Sequence, residues 1–177
     1  PGTPADDIVD WRVAAEADAS RLRIGLASAA TGSRPLGLRI TGHRAADVVP
    51  VVRSLTEPVS GAVVADLASP SFTEALPNDV DTIVHLAQSS RYRDFPEGAE
   101  DVFAVNVAAT ARLLDWGRRV GIRRFVLASA GGAARPSDRH PLGNYLATKR
   151  AAELLAASYR DCFTVVVMRF FFAYGKG

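Results

Sequence analysis

Tyr145 and Lys149 are the residues of this 177-residue chain whose types and spacing best suit proton transfer. They frame Tyr-Leu-Ala-Thr-Lys, and on a helix two side chains four positions apart share one face. A phenol titrates near 10 when unperturbed, too high for acid–base work at neutral pH. A neighbouring ammonium favours the phenolate and lowers that value, which makes the tyrosine usable as a general acid or base. The competing reading is a solvated helix face carrying two common residues. The setting is what singles the pair out: it follows an apolar run ending in Ser129 and a loop at 131–143, and it precedes a second apolar run.

The elements that must position the pair read as alternating strands and helices. Residues 47–54, 61–67, 81–87, 124–129 and 164–172 are short valine-rich or apolar runs. Such runs predict strands buried on both faces, as in a parallel sheet. A helix over 99–120 carries Val102, Val105, Leu113 and Trp116 on its apolar face and stops at Gly121, where a left-handed cap is easiest. A second helix over 145–159 holds the Tyr–Lys pair. The alternation predicts an α/β fold: a Rossmann-like, doubly wound parallel sheet flanked by helices. Residues 1–46 read as an irregular N-terminal segment, with a helix over 5–19, a strand over 22–28 and another over 38–41. Residues 47–177 read as one dinucleotide-binding domain.

Composition narrows the classes. Hydrophobic residues make up 48% and charged residues 23%, proportions of a globular chain rather than a disordered one. A formal net charge of +2 is too small to argue for nucleic acid. The cluster Arg118, Arg119, Arg123 and Arg124 is read as cations complementing a helix C-terminus. No apolar run approaches the roughly 18–20 residues of a membrane helix, and the acidic, polar start is unlike a secretory leader. Cys162 is a lone cysteine, and His43, His85 and His140 lack metal-ligand spacing, so no metal is expected and a cytoplasmic setting is.

From about Gly42 onward the chain resembles the extended short-chain dehydrogenase/reductase family, in its NAD-dependent epimerase/dehydratase group. Asp66-Leu67 is similar to the acidic–leucine pair after the third strand. Val84-His85-Leu86-Ala87-Gln88 is similar to the strand-four H-L-A-A signature, with glutamine replacing the last alanine. Asn106 to Thr110, followed by Ala-Arg-Leu-Leu, resembles the N-V-x-G-T-x-x-L-L helix. Arg123 to Val126 with Ala128-Ser129 resembles the strand that delivers an active-site serine, and Arg169 to Gly175 resembles R-x-x-N-V-Y-G. The resemblance implies NAD or NADP bound at the carboxyl ends of the strands. It implies Tyr145 as acid/base, with Lys149 holding the nicotinamide ribose and depressing the tyrosine, and Ser129 as third catalytic member. Asp66 and Leu67 would meet the adenine, Leu86, Ala87 and Gln88 the pyrophosphate and ribose, and Phe170 the nicotinamide, while Asn106 would support the site. Arg53, where an acidic residue would receive the ribose 2′-hydroxyl, suits a 2′-phosphate, with an ordinary loop arginine as the equal alternative. His85 is expected to be a hydrogen-bonded strand histidine rather than a catalyst.

Three departures qualify the match. The phosphate loop lacks the family's glycine spacing, Gly32 and Gly37 being the nearest candidates, and Pro35 would disturb a helix opening after Gly32. The position of the usual catalytic hydroxyl falls on Ala130, and a one-residue offset turns Ser129 to the other face of its strand. The sequence stops where the family's C-terminal substrate domain would begin, so that domain is expected to be absent. The resulting expectation is an epimerase/dehydratase-like oxidoreductase acting on a nucleotide sugar or similar hydroxyl/carbonyl compound. The alternatives are a catalytically degenerate binding or scaffold subunit, or a fragment of a longer enzyme. A homodimer through helices 99–120 and 145–159 would use Trp116 and the alanine face Ala151, Ala152 and Ala156; burial of those residues within the monomer is the competing expectation.

Overall fold

The computed structural model describes residues 8–11, 25–26, 37–40, 48–54, 61–135 and 141–171. Strand β2 (Gly25–Leu26) lies at the centre of a six-stranded, all-parallel sheet. To one side lie β4 (Pro50–Val52) and then β5 (Val63–Val64). To the other lie β6 (Thr82–His85), β7 (Arg124–Ala130) and β8 (Thr164–Phe170). The order β5-β4-β2-β6-β7-β8 is that of a doubly wound dinucleotide-binding sheet, with its winding reversed between β2 and β6. Ligands in such sheets sit beyond the carboxyl ends of the strands at that reversal. The chain is therefore an α/β, Rossmann-like fold.

Two parts of the sequence reading are corrected. Residues 8–11 are not helical: Ile8–Trp11 forms β1, paired in parallel with β3 (Gly37–Ile40) in a separate two-stranded sheet. Ile-Val-Asp-Trp is β-branched and aromatic, a composition that fits a pleated surface better than a helix. The last strand is not buried on both faces. As the sheet's edge it alternates: Val165 and Val167 pack on the core, whereas Thr164 and Val166 are exposed.

The helical run over 99–120 has three parts: α1 (Ala99–Phe103), a π turn (Ala104–Ala108) and α2 (Ala109–Val120). Gly121 closes it at φ 77°, donating its N–H to Gly117 O. The last-turn cations Arg118 and Arg119 both pair with Asp115, and Arg123 pairs with Asp81. Helix α3 (Gly143–Ala157) begins two residues before the expected start. Leu113, Leu114 and Trp116 of α2 and Ala152 and Ala156 of α3 share one core with Ile83, Phe125 and Leu127. Trp116, Ala152 and Ala156 are thus consumed within the chain and are not offered to a second copy; Phe103 and Leu154 are the exposed large apolar residues of these helices. No helix among the described residues is long and apolar enough to cross a membrane.

Candidate functional site

Beyond the ends of β4, β5 and β6 the chain leaves an open cleft. Its lining includes Arg53, Asp66, Leu67, Ala87 and Gln88, five of the residues expected at a cofactor. Val51 and Ala65, both buried, give it an apolar floor. At its rim Arg53 and Asp66 form a half-exposed ion pair at 3.4 Å. Asp66 is oriented by the Ala68 N–H, which donates to Oδ1 at 3.1 Å. The remaining expected cofactor residues are distributed differently. Leu86 is half-buried and Asn106 buried, and neither lines the cleft. Phe170 ends the edge strand opposite Ala130. Gly37 begins β3 opposite Ile8, in the two-stranded sheet, and Gly32 lies outside the described residues.

Tyr145 sits in the first turn of α3, where its hydroxyl donates to Gln88 Oε1 at 3.0 Å. Gln88 thereby joins the cleft to the tyrosine. The ring of Tyr92 lies 5.2 Å from that of Tyr145. Lys149, one turn further on, is 4% exposed and donates from Nζ to Ala128 O at 3.1 Å. Burial lowers its ammonium from 10.5 to about 8. Its nitrogen stands 5.9 Å from the Tyr145 ring centroid. The expected depression of the tyrosine is not what this geometry produces. Burial, and then the neighbouring Tyr92, raise the Tyr145 phenol above its ordinary value. Lys149 is committed to a backbone carbonyl and does not reverse them.

Beneath the pair runs a buried polar chain. Asn106, within the π turn, accepts the Ser89 N–H at 3.1 Å and donates from Nδ2 to Thr148 Oγ1 at 3.1 Å. Thr148 in turn donates to the Tyr145 carbonyl at 2.7 Å. Ser89 donates its hydroxyl to Asp101. Asn106 thus ties the loop after β6 to the first turn of α3 through Thr148. Thr110 donates to Asn106 O at 2.7 Å, so its oxygen accepts from His85 Nε2 at 3.1 Å. Burial, with the Lys149 ammonium second, holds the His85 imidazole near 3, so it stays neutral. His85 is a hydrogen-bonded strand histidine, as its setting predicts.

Ser129 is turned to the other side of its strand. It follows Phe125 and Leu127 in period two toward α3, and its hydroxyl donates to Glu153 Oε1 at 2.7 Å. Arg169, its cross-strand partner, donates to the same carboxylate through Nε and Nη2, each at 2.7 Å. Arg150 adds a bond to Oε2 at 2.9 Å. The structure therefore brings Tyr145 to Gln88 and the cleft, and keeps Ser129 in a different cluster. Glu153 was not singled out by sequence reasoning, although its place four residues after Lys149 puts it on the same helix face. Tyr92 carried no sequence signal.

Residues 40–177 match the model of the NAD dependent epimerase/dehydratase family. A UDP-glucuronate 4-epimerase of Thermodesulfobacterium geofontis (strain OPF15) is 30% identical over 107 residues, covering 54% of this chain and 33% of that protein. A short-chain dehydrogenase/reductase superfamily protein from Agrobacterium tumefaciens, solved with bound NAD, is 29% identical with a TM-score of 0.58. That alignment covers 70% of this chain and 41% of the other. MoeE5, solved with UDP-glucuronic acid and NAD, is 32% identical with a TM-score of 0.57, over 73% of this chain and 48% of that one. The chain spans a third of the curated relative's length and less than half of either solved chain.

Proposed function

Because the chain belongs to the NAD-dependent epimerase/dehydratase family, we propose that it is the dinucleotide-binding part of an NAD(P)-dependent oxidoreductase of epimerase or dehydratase type. Its substrate would be a nucleotide sugar or a similar hydroxyl/carbonyl compound. One observation carries this reading: the cleft at the sheet's reversal and the hydroxyl of Tyr145 meet at Gln88. The cleft's chemistry fits a nucleoside, with an apolar floor for a base and the Arg53–Asp66 charges at the rim for a ribose. Asp66 and Leu67 would take the adenine side, with Ala87 and Gln88 toward the pyrophosphate. The Arg53 guanidinium suits a 2′-phosphate, which makes NADP a candidate beside NAD.

When bound, the nicotinamide supplies or accepts the hydride. The chain's own part is proton handling and placement. Tyr145, held above its ordinary value, is a phenol at neutral pH and so gives its proton to a developing alkoxide. Lys149 would hold the nicotinamide ribose from the same helix face, and Phe170 would flank the ring. Asn106 holds the loop after β6 against α3, keeping Gln88 and Tyr145 in reach of each other. A homodimer across the 99–120 and 143–157 helices belongs to the same reading, with Phe103 and Leu154 as its exposed apolar contacts.

Titration with NADH and NADPH, followed by cofactor fluorescence, tests the proposal. Saturable binding of either is expected, and no binding at millimolar cofactor would remove it. A second reading, a binding subunit of this fold without catalysis, is favoured by one observation: the Ser129 hydroxyl is spent on Glu153. Binding without turnover of UDP-glucose or UDP-glucuronic acid would select it.

A further inference from the structure

The polar group that faces the Tyr145 hydroxyl is an amide. Tyr145 Oη donates to Gln88 Oε1 at 3.0 Å. The two groups that would otherwise serve it are spent elsewhere, Lys149 Nζ on Ala128 O and Ser129 Oγ on Glu153. Tyr92 touches it through the ring, and the Arg93 guanidinium lies 5.1 Å over the Tyr92 ring. Among the described residues no other hydrogen bond engages Gln88, so its Nε2 is uncommitted, and the side chain borders an open cleft.

A primary amide carries an acceptor and a donor on one carbon. We propose that Gln88 is a two-state hydrogen-bond partner of Tyr145, accepting from the phenol through Oε1 and donating to the phenolate through Nε2 after the amide turns over. The proton count is simple. When Tyr145 gives its proton to a substrate oxygen, the lone pairs of its new phenolate face those of Oε1. Rotation about the terminal bond of Gln88 replaces Oε1 by an N–H, and the glutamine neither gains nor loses a proton. The bond to the phenolate is charge-assisted and stronger than the bond from the phenol. Gln88 therefore favours the deprotonated form on balance. This role in turnover rests on Tyr145 being the proton-transfer group of the proposed oxidoreductase, whereas the hydrogen bond itself does not.

The sign of one titration decides the matter. The full chain labelled at the tyrosine ζ carbons is titrated by NMR, with the Tyr145 signal assigned by its loss in Tyr145→Phe. Gln88→Met, and Gln88→Leu as a second variant, remove both halves of the amide while leaving Lys149, Tyr92 and Arg93 in place. Loss of a donor to the phenolate should move the Tyr145 midpoint upward by about one pH unit, a roughly tenfold smaller phenolate population. A downward move would mean that Gln88 only accepts, and an unchanged midpoint that it does neither; both overturn the proposal. NADH titration of the same samples separates the two readings. An upward move without NADH binding keeps the amide's role and removes the oxidoreductase, and tight NADH binding with a downward or unchanged midpoint does the reverse.

Discussion

Glu153→Gln is the substitution whose consequence follows most directly from the geometry. The Glu153 side chain is 4% exposed and takes four hydrogen bonds, from Ser129, Arg150 and twice from Arg169. One carboxylate so ties β7, β8 and α3 together. The Arg169 hydrogen bond is the main cause that lowers its carboxyl from 4.5 to about 2. At about 1.4 kcal/mol per pH unit that fall corresponds to roughly 3 kcal/mol at neutral pH. Both arginines are 38% exposed, so solvent screening reduces the contribution to roughly 2 kcal/mol. The acid is depressed in the folded state, so its stabilisation is complete above 4.5 and disappears as pH falls toward 2. Urea unfolding of wild type and variant should therefore differ by about 2 kcal/mol at pH 7, and by less than half of that near pH 3. A gap below about 0.5 kcal/mol at pH 7, or one that stays constant down to pH 3, would refute the reasoning.

Three further outcomes are expected. Tyr145→Phe should abolish turnover while keeping NADH affinity within about twofold, the phenol being a proton donor rather than a cofactor anchor; retained turnover would remove Tyr145 from the chemistry. Lys149→Met should stabilise the chain by roughly 3 kcal/mol at pH 7, since burial lowers the ammonium from 10.5 to about 8 and the unfolded chain binds that proton more tightly. Wild-type stability should then approach the variant's as pH rises from 8 toward 10.5, and a pH-independent difference in urea midpoints would contradict it. Arg53→Ala should leave stability within about 0.5 kcal/mol, its ion pair being half-exposed. The same variant should weaken NADPH more than NADH in fluorescence titrations, and equal losses would withdraw the 2′-phosphate assignment.

The central sheet was legible because its strands carry a physical signature. Thr82–His85 and Arg124–Ala130 carry apolar centres, Ile83-Val84 and Phe125 to Ala128, and both lie inside the sheet. The order of short motifs also located one wall of the cleft, from Arg53 and Asp66 to Gln88. At 8–11 the pattern misled, since a four-residue apolar strand and one turn of an amphipathic helix are hard to tell apart by spacing alone. Period two was enough to turn Ser129 away from Ala130's face. What waited for it there, Glu153 and Arg169, needed the packing of α3 across two strands. The sign of the Tyr145 shift was illegible for a related reason. Spacing reveals that a lysine is near, but burial and the competing carbonyl of Ala128 decide what the lysine does. The Gln88–Tyr145 bond joins residues 57 positions apart, and no local rule reaches that far.

Among the described residues the ladders differ in length. β7 and β8 share seven residue pairs and β6 and β7 four, but β4 and β5 share two. Local opening costs least where few backbone bonds and few packed side chains must be broken together. Amide hydrogens of β7 and β8 should therefore be the last to exchange and those of β4 and β5 among the first. The cleft draws Val51, Arg53 and Ala65 from the soft side and hangs from the end of the firmer β6 on the other. A ligand seated there spends its ordering cost almost wholly on one wall, so its arrival is written as slowed exchange at Val51 and Val63 while the β7–β8 edge stays as it was.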